Sequence, residues 1–272
     1  MRLTLLCLVL LGTAYPIELR VAQEIHQGST LRVQVSGVER DDWTAVFLDK
    51  TIRLFPDGDD SVLGLMPVPV LQKPGIYPLL VKDWHGTEVR SEVHLLDAHF
   101  PQQDILASRR MKGLKPLPGE MEAVHDLQQT VSVKRFWPDR LLRPVPECVN
   151  SPFGVERLHN GKPTGNYHRG LDLRSPMGRP VKAAADGIVE IARMFRLHGG
   201  TVGIDHGQGV VTTYIHLSKV AVRRGRTVKA GQIVGYVGAT GFTTGPHLHW
   251  SVYVNGLPVN PADWVQGLKA CR

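Results

Sequence analysis

The stretch TTGPHLHWSVYVNG, residues 243–256, decides the predicted fold class and holds the first candidate site residues. Alternate residues of a β-strand face the same way, so one face carries polar side chains that begin with His247 and His249, while the other face is apolar. A half-buried strand with two imidazoles on one face predicts a β protein with a metal or catalytic site. Histidine is the commonest protein ligand for zinc, and a catalytic zinc takes three protein ligands and leaves one position open.

Partners for these histidines lie upstream in two further strand-like segments. NYHRGLDLRSP offers His168 and Asp172, which face the same side of a strand, with Gly170 relieving crowding between them. TTYIHLSKV adds His216. Two nitrogen ligands and one carboxylate suit zinc, because the site keeps a net positive charge that favours ionisation of a bound water.

The spacing of these motifs resembles that of peptidase family M23, the lysostaphin-like or LytM-type metallopeptidases. The resemblance covers about the last 120 residues and rests on several motifs in the same order. They are the HxxxD of residues 168–172, IDHG at 204–207, YIHLS at 214–218, KAGQIVGYVGATG at 229–241 and TGPHLHW at 244–250.

The resemblance implies a role for each candidate residue. His168, Asp172 and His249 match the family's zinc ligands, which gives one Zn²⁺ per chain. His216 and His247 match the two histidines that are not ligands, and the sequence leaves open which of them is the general base and which stabilises the developing oxyanion. The alternative for His247 is a fourth ligand, which would close the metal site.

The predicted fold class is mostly β. Residues 1–14 are predicted to be a signal peptide, 15–100 an immunoglobulin-like β-sandwich, 101–147 a linker with a short helix, and 148–268 a LytM-type antiparallel β catalytic domain with a zinc groove. Within the linker, EMEAVHDLQQTV has helical spacing. That helix is expected either to pack on a neighbour or to cover the groove, with one apolar stripe formed by Met121, Val124, Leu127 and Val131.

Composition and charge narrow the function classes. The chain has 272 residues and a formal charge of +7, and residues 151–272 hold 15 Lys and Arg against six Asp and Glu. A basic surface can serve nucleic acid, but an export signal argues against that partner and favours an anionic wall polymer. The chain has no GxGxxG, P-loop or GxSxG motif in the right context, which excludes the usual nucleotide and serine-hydrolase sites.

The N-terminus predicts export to the periplasm or cell envelope. Met1 and Arg2 precede an apolar run that ends in small residues, as in a signal peptide, and the run is too short for a stable membrane span. The alternative is a buried N-terminal strand. In an oxidising compartment Cys148 and Cys271, which flank the predicted catalytic domain, are expected to form a disulfide.

Three functions remain at the level of sequence. The favoured one is a zinc endopeptidase that hydrolyses peptide crosslinks of peptidoglycan by attack of metal-bound water, either at a D-alanine–diaminopimelate bond or within a glycine bridge. The second is a non-catalytic LytM-type regulator that binds and activates cell-wall amidases; such relatives lack some ligands, whereas this chain retains the whole set. The third is a secreted protease for glycine-rich proteins. The sequence makes no prediction about oligomeric state.

Overall fold

The structure is a computed structural model that describes residues 3–8, 16–39, 42–104, 114–159 and 161–272. The chain divides into two compact units, Met1–His99 and Phe100–Arg272. The segment predicted to be a linker therefore lies with the second unit. Strands dominate both units, which confirms the predicted mostly-β class.

The first unit consists of two five-stranded sheets around one hydrophobic core. Alternating burial explains its strands: in β4, Leu31, Val33 and Val35 are fully buried while the residues between them are not. Its immunoglobulin-like character remains a prediction. The strands are β1 (Leu3–Leu8), β2 (Ile17–Ala22), β3 (Glu24–His26), β4 (Thr30–Ser36), β5 (Thr44–Phe47), β6 (Lys50–Arg53), β7 (Phe55–Pro56), β8 (Ser61–Pro67), β9 (Gly75–Lys82) and β10 (Glu88–Leu96).

The first strand falls within the predicted signal peptide. Residues 3–8 pair antiparallel with β2, from Leu3 opposite Ala22 to Leu8 opposite Ile17. This is the arrangement that the alternative of an N-terminal strand requires. An apolar segment that is still attached is expected to find a sheet edge, so the pairing does not test cleavage, and export remains a prediction. Among the described residues, no helix is long and apolar enough to cross a membrane.

The second unit is built on a ten-stranded sheet whose named pairs are antiparallel. Its central order is β12-β15-β22-β19-β18-β17-β20, and a small sheet of β11, β13 and β14 accompanies it. The strands are β11 (Gln102–Asp104), β12 (Val149–Ser151), β13 (Glu156–His159), β14 (Lys162–Tyr167), β15 (Leu171–Leu173), β16 (Pro180–Lys182), β17 (Gly187–Met194), β18 (Gly200–Asp205), β19 (Val210–Val220), β20 (Thr227–Val228), β21 (Ile233–Val237), β22 (Leu248–Val254) and β23 (Leu257–Val259).

Among the described residues of this unit, one α-helix packs against the sheet. Helix α1 (Glu120–Gln128) confirms the predicted helix, but its apolar stripe is shorter than predicted. Val124 and Leu127 are buried against β17, β19 and β22, whereas Met121 and Val131 are about half exposed, because the helix ends before Val131 and turns Met121 outward.

The two ends of the second unit are joined covalently. Cys148 and Cys271 form a disulfide, as predicted. Beside it, the Val149 carbonyl accepts a hydrogen bond from the Cys271 N–H, and the Val149 N–H donates to the Lys269 carbonyl. A 3₁₀ helix, Pro261–Trp264, precedes this closure and begins with Asn260 accepting a hydrogen bond from the Ala262 N–H.

Candidate active site

Sheet register brings two of the predicted ligands together. Strands β15 and β22 are antiparallel neighbours, and Asp172 lies directly opposite His249. Opposed residues of an antiparallel pair project from the same face with their Cβ atoms about 5 Å apart. His168 reaches the same point from the segment just before β15. Asp172 Oδ1 lies 2.9 Å from His249 Nδ1 and 3.1 Å from His168 Nε2, and the two nitrogens are 3.0 Å apart.

In His168 and His249, the ring nitrogen that points away from the cluster already lies within hydrogen-bond distance of another group. His168 Nδ1 lies 2.7 Å from the Pro152 carbonyl oxygen, and His249 Nε2 lies 2.9 Å from Ser251 Oγ. An N–H directed at a carbonyl fixes the tautomer of His168 and leaves a lone pair on its Nε2. If His249 donates to Ser251, its Nδ1 also presents a lone pair.

The chemistry of this donor set fits a metal ion. Two lone pairs and a carboxylate oxygen that converge within about 3 Å repel one another unless a positive charge lies among them. Ligand atoms of a tetrahedral zinc with bonds of about 2.0–2.1 Å are separated by about 3.3 Å, close to the spacing seen here. Among the described residues, the group that could hold a metal contains only these three. His247 is not part of it, which favours three protein ligands over four.

Burial and the neighbouring histidines shift the pKa of Asp172 in opposite directions. Burial alone would raise the pKa of this carboxyl, but the facing imidazoles of His168 and His249 outweigh burial and hold it well below its usual value. Burial lowers the pKa of His249 and so favours its neutral form, the form in which an imidazole binds a metal.

The other two predicted site residues, His216 and His247, lie beside the three candidate ligands. The ring centroids of His216 and His247 are 5.0 Å apart, and the ring centroids of His216 and His249 are 6.2 Å apart. His216 Nδ1 lies 2.9 Å from the Thr240 carbonyl oxygen, and His247 Nδ1 lies 2.9 Å from the Gly245 carbonyl oxygen. Donation by Nδ1 leaves Nε2 of each ring as an acceptor. His247 Nε2 lies 3.5 Å from Asp172 Oδ1, outside hydrogen-bond range.

His216 has an unusual backbone conformation. Its φ of 64° lies in the left-handed region, which residues other than glycine rarely adopt. The regular strand geometry of β19 is interrupted at His216. Ile215 is paired with His249 of β22, and the pairing between these two strands ends there. Burial, together with the neighbouring His249 and His247, lowers the pKa of His216 to about 3, so the ring is neutral near pH 7.

A groove of about 390 Å³ is lined in part by two of the three candidate ligands. His168 and His249 line one part of it, Arg157 and Arg169 add positive charge, and the guanidinium of Arg169 lies 5.8 Å from the ring centre of Tyr167. Helix α1 also contributes to the lining, through Met121, Val124, His125 and Gln128. The predicted helix thus forms a wall of the groove and packs on the sheet.

Two residues near the site were not predicted from the sequence. His198 is largely buried, and its Nδ1 lies 2.7 Å from Glu120 Oε1. Glu120 itself is fully buried. The only signal in the sequence was helical spacing, since Glu120 precedes the buried Val124 and Leu127 by four and seven positions.

Comparison with known proteins agrees with this geometry. The family model of peptidase family M23 matches residues 166–261, which contain all five predicted site residues. The chain carries a peptidase M23 domain. A comparison of structures reaches beyond the M23 domain. The crystal structure of an M23 peptidase candidate from Pseudomonas aeruginosa aligns with 88% of this chain and with 94% of the Pseudomonas chain, with a TM-score of 0.66 and 27% sequence identity.

Two curated relatives match the M23 domain more closely in sequence. DD-carboxypeptidase/endopeptidase Mpg of Neisseria meningitidis is 43% identical over 115 residues, and peptidoglycan DD-endopeptidase ShyC of Vibrio cholerae is 42% identical over 113 residues. Each match covers 42% of this chain, and the chain spans only 26% of the length of either relative. The similarity therefore concerns the M23 domain and not the rest of those proteins.

Proposed function

We propose that the protein is a zinc-dependent endopeptidase that hydrolyses peptide crosslinks of peptidoglycan. The observation that carries the proposal is the convergence of His168, Asp172 and His249 beside two further histidines. Two of these three converging residues also line a groove. Three protein ligands leave a position for solvent or substrate, whereas a closed four-ligand site would be structural.

His168, Asp172 and His249 would hold one Zn²⁺ per chain. Zinc bound there would polarise the scissile carbonyl and lower the pKa of a coordinated water. Pro152 and Ser251 orient the two ligand rings through their outer nitrogens, which fixes which nitrogen faces the metal. Asp172 supplies the negative charge that partly neutralises the ion.

His216 and His247 would handle protons and developing charge. Each donates through Nδ1 to a main-chain carbonyl, which leaves its Nε2 as an acceptor. A neutral imidazole in that tautomer can accept a proton from an attacking water and return it to the leaving amine. Once protonated, the same ring becomes a donor that can stabilise an oxyanion.

Three features support peptidoglycan as the substrate. The M23-domain relatives from Neisseria and Vibrio are named as DD-carboxypeptidase/endopeptidase and peptidoglycan DD-endopeptidase, so we propose a D,D-peptide crosslink as the bond. Residues 151–272 carry nine more basic than acidic residues, and the stem peptides carry carboxylates. Arg157 and Arg169 place part of that positive charge in the groove. Such a substrate implies an exported protein of the periplasm or cell envelope.

Mass analysis of muropeptides tests the proposal. Purified full-length protein is incubated with crosslinked peptidoglycan, beside a chelated sample and the variant His247→Ala. We expect crosslinked dimers to be converted to monomers only by the metal-loaded wild type. Binding of peptidoglycan or of an amidase without any hydrolysis would overturn the proposal and favour the non-catalytic regulator, and cleavage confined to glycine-rich proteins would favour the secreted protease.

A further inference from the structure

Glu120 is a buried carboxylate that lies outside the matched M23 residues. Its side chain is fully buried, and both oxygens accept hydrogen bonds. Oε1 accepts from the Leu197 N–H at 2.9 Å, the His198 N–H at 2.9 Å and His198 Nδ1 at 2.7 Å. Oε2 accepts from the Leu117 N–H at 2.8 Å and the Arg196 N–H at 3.1 Å. A carboxylate is therefore the centre of the turn between β17 and β18.

This dense set of donors outweighs the cost of burying the charge. Burial alone would raise the pKa of Glu120, but the hydrogen bonds from Leu117, His198 and Arg196 lower it to about 2. Glu120 is ionised at neutral pH, and three consecutive main-chain N–H groups, those of residues 196–198, point at it. Such a cluster of N–H groups around an anion fixes the main chain of the turn.

The turn of residues 196–198 contacts His216. The His198 carbonyl accepts the hydrogen bond of the His216 N–H at 3.0 Å. This is the residue whose φ lies in the left-handed region, where a main-chain conformation persists only when its surroundings fix it. The His198 carbonyl is one of those surroundings, since it fixes the direction of the His216 N–H.

A second route links the same turn to the His216 ring. The Gly200 N–H donates to Thr240 Oγ1 at 2.9 Å, and Thr240 Oγ1 donates to the Leu217 carbonyl at 2.7 Å. The Thr240 carbonyl then accepts from His216 Nδ1 at 2.9 Å. Both the main chain and the ring of His216 are thus held by groups that the turn positions.

We propose that Glu120 is a positioning residue for His216: by holding the main chain of residues 196–198, it places the groups that fix the conformation of His216 and the direction of its ring. The proposal rests on the proposed function, in which His216 takes part in proton transfer. It assigns a catalytic contribution to helix α1, which precedes the matched M23 residues.

The carboxylate is required because all five bonds are donated to it. In Glu120→Gln the amide nitrogen replaces one oxygen and faces at least two N–H donors, which it cannot satisfy. The matched control is Glu122→Gln, which makes the same chemical change on the same helix at an exposed position. Both variants remove one negative charge, so they differ only in the contacts of the lost carboxylate.

The test compares these variants in the full-length protein. With zinc and a crosslinked muropeptide dimer, we expect Glu120→Gln to lower kcat at least about tenfold with KM within about twofold, because a displaced catalytic group costs turnover more than binding. Zinc content is expected to remain unchanged. In the metal-free protein, hydrogen exchange of the His216 amide is expected to accelerate in Glu120→Gln and not in Glu122→Gln.

A double variant separates positioning from a general structural effect. If Glu120 acts through His216, Glu120→Gln produces no further loss of kcat in a His216→Ala background. An equal loss in both backgrounds, or unchanged exchange of the His216 amide, overturns the proposal. If Glu120→Gln does not fold, Glu120→Asp keeps the charge but shortens its reach, and an unchanged kcat and His216 amide exchange in that variant overturn the proposal too. An inactive wild type would overturn the proposed function instead, and the exchange measurement would still decide the positioning.

Discussion

Asp172 and His249 lie directly opposite each other on β15 and β22, and their facing atoms are 2.9 Å apart. The register of one strand pair thus sets two of the three converging groups, because a slip of one residue would turn one of them to the other face of the sheet. The geometry of the candidate metal site is a property of the sheet, with His168 added from the adjoining segment.

Replacing Asp172 by Asn is expected to lower zinc affinity more than about a hundredfold. The amide removes the negative charge from the ligand set, and loss of an outer hydrogen-bond partner alone already costs about 10–100-fold. Metal content after dialysis against a zinc buffer measures the effect. His94→Ala, on the exposed face of β10, is the control and should retain full occupancy. Full occupancy in Asp172→Asn would contradict the assigned ligand set.

Replacing His216 or His247 by Ala is expected to reduce hydrolysis by a factor of about 10²–10⁴ while zinc stays bound. General acid–base groups contribute rate increases of this size, and neither residue belongs to the three-residue cluster. Turnover of a crosslinked muropeptide dimer and metal content are measured on the same samples. Loss of zinc from His247→Ala would show instead that this histidine is a ligand.

Replacing Gly170 by Ala is expected to displace β22, which carries the candidate ligand His249, and so to weaken metal binding. A Cβ at this position would lie 2.5 Å from Ser251 Oγ, 2.5 Å from the Trp250 carbonyl oxygen and 2.7 Å from His249 Nε2. Because β22 is buried and cannot easily recede, we expect a destabilisation of about 1–3 kcal/mol and a fall in zinc affinity of at least about tenfold. Thermal melts with and without zinc measure both. Wild-type affinity would mean that β15 moves away freely.

Acidification is expected to destabilise the protein through His206. This ring is fully buried, its Nδ1 lies 2.7 Å from the Asp186 carbonyl oxygen, and burial lowers its pKa to about 4. The unfolded chain takes up a proton near pH 6.5 but the folded one does not until about pH 4, so the free energy of unfolding falls between these values, by at most about 3 kcal/mol.

Chemical denaturation of the metal-free protein at several pH values between 7.5 and 4 tests this origin. The variant His206→Gln lacks the titrating group, so its unfolding free energy is expected to fall less over that window than that of the wild type. Equal slopes for the two proteins would assign the acid sensitivity to other groups.

Removing the disulfide is expected to destabilise the second unit. Cys148 and Cys271 are 123 positions apart, and a crosslink over so long a loop is expected to stabilise by about 4–5 kcal/mol, chiefly by restricting the unfolded chain. The double variant Cys148→Ser, Cys271→Ser should unfold at a lower temperature than the wild type. Added reductant should bring the wild type to the same temperature and leave the variant unchanged. Equal melting of both proteins without reductant would exclude a stabilising crosslink.

The sequence predicted the parts of the site that depend on strand periodicity. His249 and Ser251 share a face as predicted, and the apolar positions between them, Leu248 and Trp250, are fully buried. Asp172 lies on β15 as its strand-like segment predicted, whereas His168, predicted for the same strand face, lies in the segment before β15. Gly170 was predicted to relieve crowding between His168 and Asp172, but the nearest atoms that a Cβ there would meet belong to β22. The faces of single strands are local features, so a pattern of alternating residues is enough to reveal them.

Features that depend on contacts between distant segments could not be predicted in this way. The left-handed conformation of His216 has no local signature, since it is fixed by the His198 carbonyl and by Thr240. Glu120 was overlooked because an acidic residue at a helix start is typically solvated. Its five donors come mainly from residues 196–198, more than seventy positions away, and helical spacing alone does not show which side of the helix is covered.

The anchoring of the turn by Glu120 also bears on where the catalytic unit can be cut out of the chain. A fragment trimmed to the matched residues, or begun at Cys148, would leave the N–H groups of residues 196–198 without their acceptor. Such a truncated piece could fold and still load metal, yet turn over slowly. An excised catalytic unit should therefore start upstream of Leu117, with α1 retained.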